Sequence, residues 1–181
     1  NQPVFQPFLY KEDINARQIH AICEDRMGWM WVGTMSGLYK FHPDSLIANP
    51  ENFYFFTKKN SSLWDDDIVA IYEDYAGNVW LGTSGSGVSV HVPSNDSQQL
   101  NLTHYNTADG LSSNEISAFI EDDKNKLWIS TKNGLTCYTP ETKAFDKFYL
   151  SSTPKGDMYT SAACRGENGQ LLFGTNDGII S

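Results

Sequence analysis

Three pairs of adjacent carboxylates, Glu24-Asp25, Glu73-Asp74 and Glu121-Asp122, are the residues of this chain best suited to acid–base chemistry. Two carboxyls flanking a glycosidic bond hydrolyse it, one as acid and the other as base or nucleophile. That chemistry needs a single pair in an asymmetric setting. Here the pair recurs at near-equal spacing and is followed each time by the same residues. A structural role in turns accounts for that recurrence, so no catalytic residue is assigned.

Other reaction chemistries fare no better. The string Asp-x-x-Gly-x-x-Trp differs from the sialidase Asp-box, which has one residue between Asp and Gly. The arginine triad of that chemistry would have to come from Arg17, Arg26 and Arg165, and Arg26 lies in a turn. His20, His42, His91 and His104 show neither ligand spacing nor a Ser or Cys partner motif. Gly85-Ser86-Gly87 lacks the Lys-Ser/Thr that completes a phosphate loop. Cys23, Cys137 and Cys164 form no Cys-x-x-Cys, so the reading is no metal, no cofactor and three small buried hydrophobes.

Composition narrows the partners. The 181 residues carry 13 Lys and Arg against 22 Asp and Glu, a net charge of −9. The basic residues are scattered, which argues against a nucleic-acid partner. No run of about 18 apolar residues spans a membrane, and no basic-then-apolar leader opens the chain.

The elements that position these residues are repeats. One pattern runs Ile19, Ala21, Ile22, Glu24, Asp25, Gly28, Trp31, Gly33, Thr34, Gly37. It returns as Ile68, Ala70, Ile71, Glu73, Asp74, Gly77, Trp80, Gly82, Thr83, Gly87, and again as Ile116, Ala118, Phe119, Glu121, Asp122, Asn125, Trp128, Ser130, Thr131, Gly134. A weaker fourth copy keeps Ala162, Ala163, Gly169, Leu172, Gly174, Thr175 and Gly178. The steps from Trp31 to Trp80 and from Trp80 to Trp128 are 49 and 48 residues. Such a period marks an array of one supersecondary unit.

The third copy reads as four short strands, 116–120, 127–130, 135–138 and 145–150, joined by polar turns. Asp-x-x-Gly is hairpin chemistry: the Asp caps turn amides, and Gly or Asn takes positive φ. Trp31, Trp80 and Trp128 are plates that fill the gap between neighbouring sheets, and Gly33, Gly82 and Gly174 are small to allow close approach. Four-stranded units of about 45 residues predict an all-β β-propeller of antiparallel blades. Repeats start near 19, 68, 116 and 160, after an N-terminal strand and linker over 1–18. The whole of 1–181 is thus a partial propeller of about three and a half blades, expected to be part of a seven-bladed ring. The alternative is a tight four-bladed ring in which Val4 to Tyr10 supplies the missing outer strand. The chain stops inside the fourth copy, so the expectation is a piece of a longer protein.

The string from Ile19 to Tyr39 resembles the two-component regulator propeller repeat. The linkers Asn60-Ser61-Ser62-Leu63 and Thr107 to Asn114 are similar to that family's blade-to-blade connections. The fourth copy departs, with Arg165-Gly166 for Glu-Asp and Leu172 for Trp. The resemblance implies the periplasmic sensor region of a hybrid two-component histidine kinase, non-catalytic in this segment. It further implies an oligosaccharide ligand, control of polysaccharide-utilisation genes, further blades and downstream receptor domains, and a homodimeric receptor. The alternative is a structural or dimerisation scaffold with the ligand held elsewhere.

In a propeller, inter-blade loops and second-to-third-strand turns share one face. Arg17, Trp64, Asp66 and Asn114 from the loops, with Lys132, Asn133, Asn176 and Asp177 from the turns, are therefore the expected ligand-binding residues. Asp65, Ser113, Ser36, Ser84 and Ser86 lie on the same face. An aromatic platform flanked by amides, carboxylates and a cation suits a sugar.

Overall fold

Each of the first three repeats begins with a hairpin whose turn is tied by its own aspartate. Asp25 Oδ1 accepts from the N–H groups of Met27 and Trp29, at 3.0 and 2.9 Å. Asp74 and Asp122 do the same for Asn78 and for Lys124 and Lys126. The residue three after each Asp adopts positive φ: Gly28 at 80°, Gly77 at 88° and Asn125 at 58°. A left-handed residue closes the turn tightly enough to pair the flanking strands.

The computed structural model describes residues 18–49, 51–94, 96, 98–149 and 159–181. The first blade comprises β1 (Ile19–Glu24), β2 (Met30–Thr34), β3 (Gly37–Phe41) and β4 (Tyr54–Phe56), with a short helix α1 (Pro43–Ala48) between β3 and β4. The second comprises β5 (Ile68–Glu73), β6 (Val79–Thr83), β7 (Val88–His91) and β8 (Leu102–Tyr105). The third comprises β9 (Ile116–Glu121), β10 (Leu127–Thr131), β11 (Gly134–Thr139) and β12 (Ala144–Phe148). The fourth has three strands among the described residues, β13 (Tyr159–Arg165), β14 (Leu171–Thr175) and β15 (Gly178–Ile180). Every blade is an antiparallel meander in sequence order. The propeller and its count of nearly four blades agree with the sequence reading. The helix is new: Pro43 starts it and Leu46 buries against Val32, Tyr39 and Phe41. Residues 1–17, with Val4 to Tyr10 and Arg17, lie outside the described residues.

A bulge near the start of each first strand breaks its alternation, between Ile19 and Ala21, Ile68 and Ala70, and at Thr131 opposite Ile116. The extra residue explains the Ile-x-Ala-Ile spacing, together with contact on both faces of the strand.

Successive blades pack first strand against first strand, β1 on β5, β5 on β9 and β9 on β13. Trp31 and Trp80 are each 1% exposed in the first two of these seams. Trp31 packs with Leu63, Ile68, Val79 and Leu81, and Trp80 with Ile116, Phe119, Leu127 and Ile129. The small residues are required. A Cβ on Gly33 would lie 2.7 Å from the Ile68 carbonyl oxygen, and one on Gly82 2.5 Å from Ile116 Cγ2.

Candidate functional site

Loops and turns do gather on one face. Backbone bonds join each second-to-third-strand turn to the inter-blade linker: Met35 N–H to Gln18 O, Ser84 N–H to Asp67 O and Lys132 N–H to Glu115 O. Each turn is closed by a threonine whose hydroxyl donates to the glycine carbonyl, Thr34 to Gly37, Thr83 to Gly87 and Thr131 to Gly134, all at 2.9 Å. Thr175 repeats this with Gly178 at 3.1 Å. These bonds account for the recurring Thr and Gly of the motif.

The expected ligand residues fall into two groups. Asp66 and Asn114 brace their own linkers. Asp66 Oδ1 accepts from Lys58 N–H at 2.7 Å, and Asn114 Oδ1 from Thr107 N–H at 2.8 Å. The two bonds are equivalent, one per linker. The second group breaks the repeat. Trp64, 43% exposed, stacks on the His104 imidazole with centroids 4.4 Å apart and planes 9° apart. Ser112 occupies the matching place in the next linker and is held by Thr131 and Thr136 hydroxyls. Burial holds the His104 pKa below the usual histidine value, so the stacked ring is neutral at pH 7. His104 Nδ1 pairs with the Ser89 hydroxyl at 2.8 Å. Asp65 accepts from Ser86 Oγ at 3.0 Å, which ties linker to turn beside Trp64.

Lys132 and Asn133 are exposed at the third-blade turn, and Lys132 Nζ reaches both Glu115 carboxylate oxygens at 2.8 Å. Asn176 and Asp177 are exposed at the fourth. The face therefore offers the Trp64 plate, the Lys132 cation and several amide or carboxylate groups in separate blades.

The opposite face carries the Asp-x-x-Gly turns, and there the glutamates stitch blades together. Glu73 accepts from the Arg26 N–H at 3.0 Å and from Arg26 Nε at 2.9 Å. Glu121 accepts from the Tyr75 N–H at 3.1 Å. Arg165, which replaces that glutamate in the fourth copy, pairs with Asp123 of the third blade. The stitch survives with its charges reversed. Glu24 is exposed on β1, and its carboxylate accepts no hydrogen bond among the described residues.

Clefts open between blades. One of about 510 Å³ lies between the third and fourth, lined by Trp128, Leu135, Phe148, Leu171, Phe173 and Ile180. In the earlier seams a fourth strand helps cover the tryptophan, through Leu102 of β8 for Trp31 and Phe145 of β12 for Trp80. Next to the fourth blade, which has three strands among the described residues, Trp128 is half-buried. A second cleft of about 310 Å³ lies between the first and second blades on the Asp-x-x-Gly side. Among the described residues no cluster of His, Cys, Asp and Glu could hold a metal.

Of the three cysteines, Cys137 is buried as expected, whereas Cys23 is half-buried and Cys164 exposed.

Comparison with known proteins agrees with this architecture. The two-component regulator propeller model matches residues 13–36, 62–85 and 110–133. Histidine kinase P4 of Formosa agariphila is 31% identical over 156 residues, covering 84% of this chain and 11% of that protein. The extracellular domain of a hybrid two-component system of B. thetaiotaomicron superposes with a TM-score of 0.72 at 21% identity, over 92% of this chain and 23% of that one. PorZ, a surface component of the type-IX secretion system of Porphyromonas gingivalis, superposes at 0.64 with 16% identity, over 90% of this chain and 25% of that one. The chain thus spans a small part of each. In repeat, register and fold it is an array of two-component regulator propeller repeats.

Proposed function

We propose that this chain is part of the extracytoplasmic sensor propeller of a hybrid two-component histidine kinase. Its ligand is a glycan-derived oligosaccharide, and the response is control of polysaccharide-utilisation genes. The sensor stands in the periplasm as part of a homodimeric receptor with further blades and downstream domains. The observation that carries the reading is Trp64. It is a half-exposed aromatic plate, pre-stacked on a neutral imidazole, on the loop face and without an equivalent in the next linker. Aromatic faces bordered by few polar groups suit sugar rings. A larger ring is supported by β1, where Ile22 is 61% exposed and the Glu24 carboxylate makes, among the described residues, no bond like those of Glu73 and Glu121.

The scaffold reading also has a specific observation in its favour. Asp66 and Asn114 recur as equivalent linker braces, which is how structural residues behave. Titration of the complete sensor region with polysaccharide-derived oligosaccharides separates the two. Saturable binding that falls at least tenfold with Trp64→Ala supports the sensor face. Binding indifferent to Trp64 and Asn133 assigns this segment to the scaffold.

A further inference from the structure

The tryptophan of one blade lies on the sheet of the next, over residues in equivalent registers. Trp31 packs with Val79 and Leu81, and its ring stands 5.3 Å from that of His91. Trp80 packs with Leu127 and Ile129, and its ring stands 4.8 Å from that of Tyr138. Val79 faces His91 across its sheet as Leu127 faces Tyr138. The first blade has the same socket. Met30 faces Phe41 across β2 and β3, and Val32 follows Trp31 as Leu81 and Ile129 follow Trp80 and Trp128. In that socket Leu46 of α1, 2% exposed, packs on Val32, Tyr39 and Phe41, with Met30 beside them. The helix thus stands where the next two blades receive a tryptophan.

We propose that α1 is a displaceable plug in a blade-docking socket. The face formed by Ile19, Met30, Val32 and Phe41 takes the seam tryptophan of a further blade, and α1 leaves as that blade docks. This rests on the reading of the chain as part of a larger ring.

Continuity with the existing seams argues for a blade as the occupant. Ile68 and Ile116 are 0% and 5% exposed, each fitted against a small residue of the blade before it, Gly33 or Gly82. Ile19 holds that position in β1 and is 48% exposed. Ile22 is also exposed, where Ile71 and Phe119 join the seams. The helix therefore fills the tryptophan part of the socket and leaves the isoleucine part bare, whereas a blade would cover both. The two occupants exclude each other, because a close-packed face has room for an indole or for the Leu46 side chain. The helix is suited to leave. It has six residues, Leu46 is its one buried residue, and its N-cap His42 makes no capping bond through the side chain. A helix this short is not stable in water without its tertiary contact.

Thiol labelling tests this in two proteins, the 181-residue chain and the complete sensor region. Leu46→Cys reports on the helix, and Ile22→Cys in a Cys23→Ala background reports on the face. Mass spectrometry of the labelled peptides gives each rate. In the 181-residue chain position 46 should label slowly and position 22 fast. In the complete sensor region the order should reverse, each rate changing at least tenfold. Hydrogen exchange checks this without a substitution. The Leu46 N–H donates to the His42 carbonyl at 3.2 Å in the seated helix, and its exchange should quicken at least tenfold in the complete region. Protection at position 22 with position 46 still slow and the amide unchanged would overturn the plug and leave the larger ring standing. Fast labelling at position 22 in both proteins would remove the larger ring, and the plug with it. Protection at position 22 that rises with the concentration of the 181-residue chain would make the occupant a second copy and overturn the assignment to a further blade.

Discussion

The indole N–H of Trp80 donates to Asp74 Oδ2 over 2.8 Å, six residues back across the β5–β6 hairpin. Trp31 makes the same bond to Asp25 at 2.7 Å and Trp128 to Asp122 at 3.0 Å. One carboxylate thus organises two things, with Oδ1 on the turn amides and Oδ2 on the seam tryptophan. The fourth copy has neither partner, having Gly166 for the Asp and Leu172 for the Trp. The two residues are absent together.

Asp74→Ala strands the Trp80 N–H and the Asn78 amide in a seam where Asp74 is 7% exposed. The expected loss is about 2 to 3 kcal/mol. Trp80→Leu should cost about 3 kcal/mol. The double variant should lose about 1 kcal/mol less than the sum of the two. Urea unfolding of the four proteins measures the cycle, and strict additivity would remove the linkage.

Gly82→Ala drives a methyl against Ile116 at 2.5 Å, whereas a methyl on Gly85 meets nothing within 4 Å. The first substitution should destabilise by roughly 2 to 3 kcal/mol and the second by less than about 0.5 kcal/mol. Denaturant midpoints of the two variants check this.

Burial, with Lys40 adding to it, lowers the His91 pKa from 6.5 to about 4. The native state holds this imidazole neutral while the unfolded chain protonates it near 6.5. Its contribution is complete above pH 6.5 and is lost as pH falls towards 4, by about 2 to 3 kcal/mol. His91→Phe, which restores the residue type of Phe41, should flatten stability over that window. Asp122 acts lower down. Burial raises its pKa, but bonds from Trp128, Lys126 and Lys124 more than reverse this. Its stabilisation holds above the ordinary aspartate pKa and is lost as pH falls through the lowered one. Thermal melts between pH 7 and pH 3 should show the two losses separately.

Glu73→Ala removes two bonds from Arg26 across a seam. Glu24 sits at the matching place on β1 and makes none among the described residues. The expected costs are about 1 to 2 kcal/mol for Glu73 and less than about 0.5 kcal/mol for Glu24. Equal losses would mean that the stitch carries no stability.

The repeat, the hairpin turns and the strands of the third blade were legible because each rests on local chemistry. Asp, Gly and Asn at fixed offsets report turns wherever the chain goes. The bonds between blades were not legible. Glu73 reads as half of an acidic pair until Arg26, 47 residues away, lies beside it. The indole bond was hidden for a related reason. A tryptophan advertises bulk in a sequence, while the destination of its N–H depends on hairpin register. The joint absence of Asp and Trp from the fourth copy was the available signal. Lys40 gave none, since only the pairing of β3 with β2 places a lysine against Trp31. On the loop face, sequence grouped the loops and turns but did not separate Trp64, which breaks the repeat, from Asp66 and Asn114, which brace it.

The most direct test of the sensor reading is a calorimetric titration of the complete sensor region, wild type and Trp64→Ala, against oligosaccharides from a panel of polysaccharides. The account predicts saturable binding of one structural class, weakened at least tenfold by Trp64→Ala while the melting temperature stays within about 2 °C. Binding of equal strength in both proteins would contradict it and place the ligand off this face.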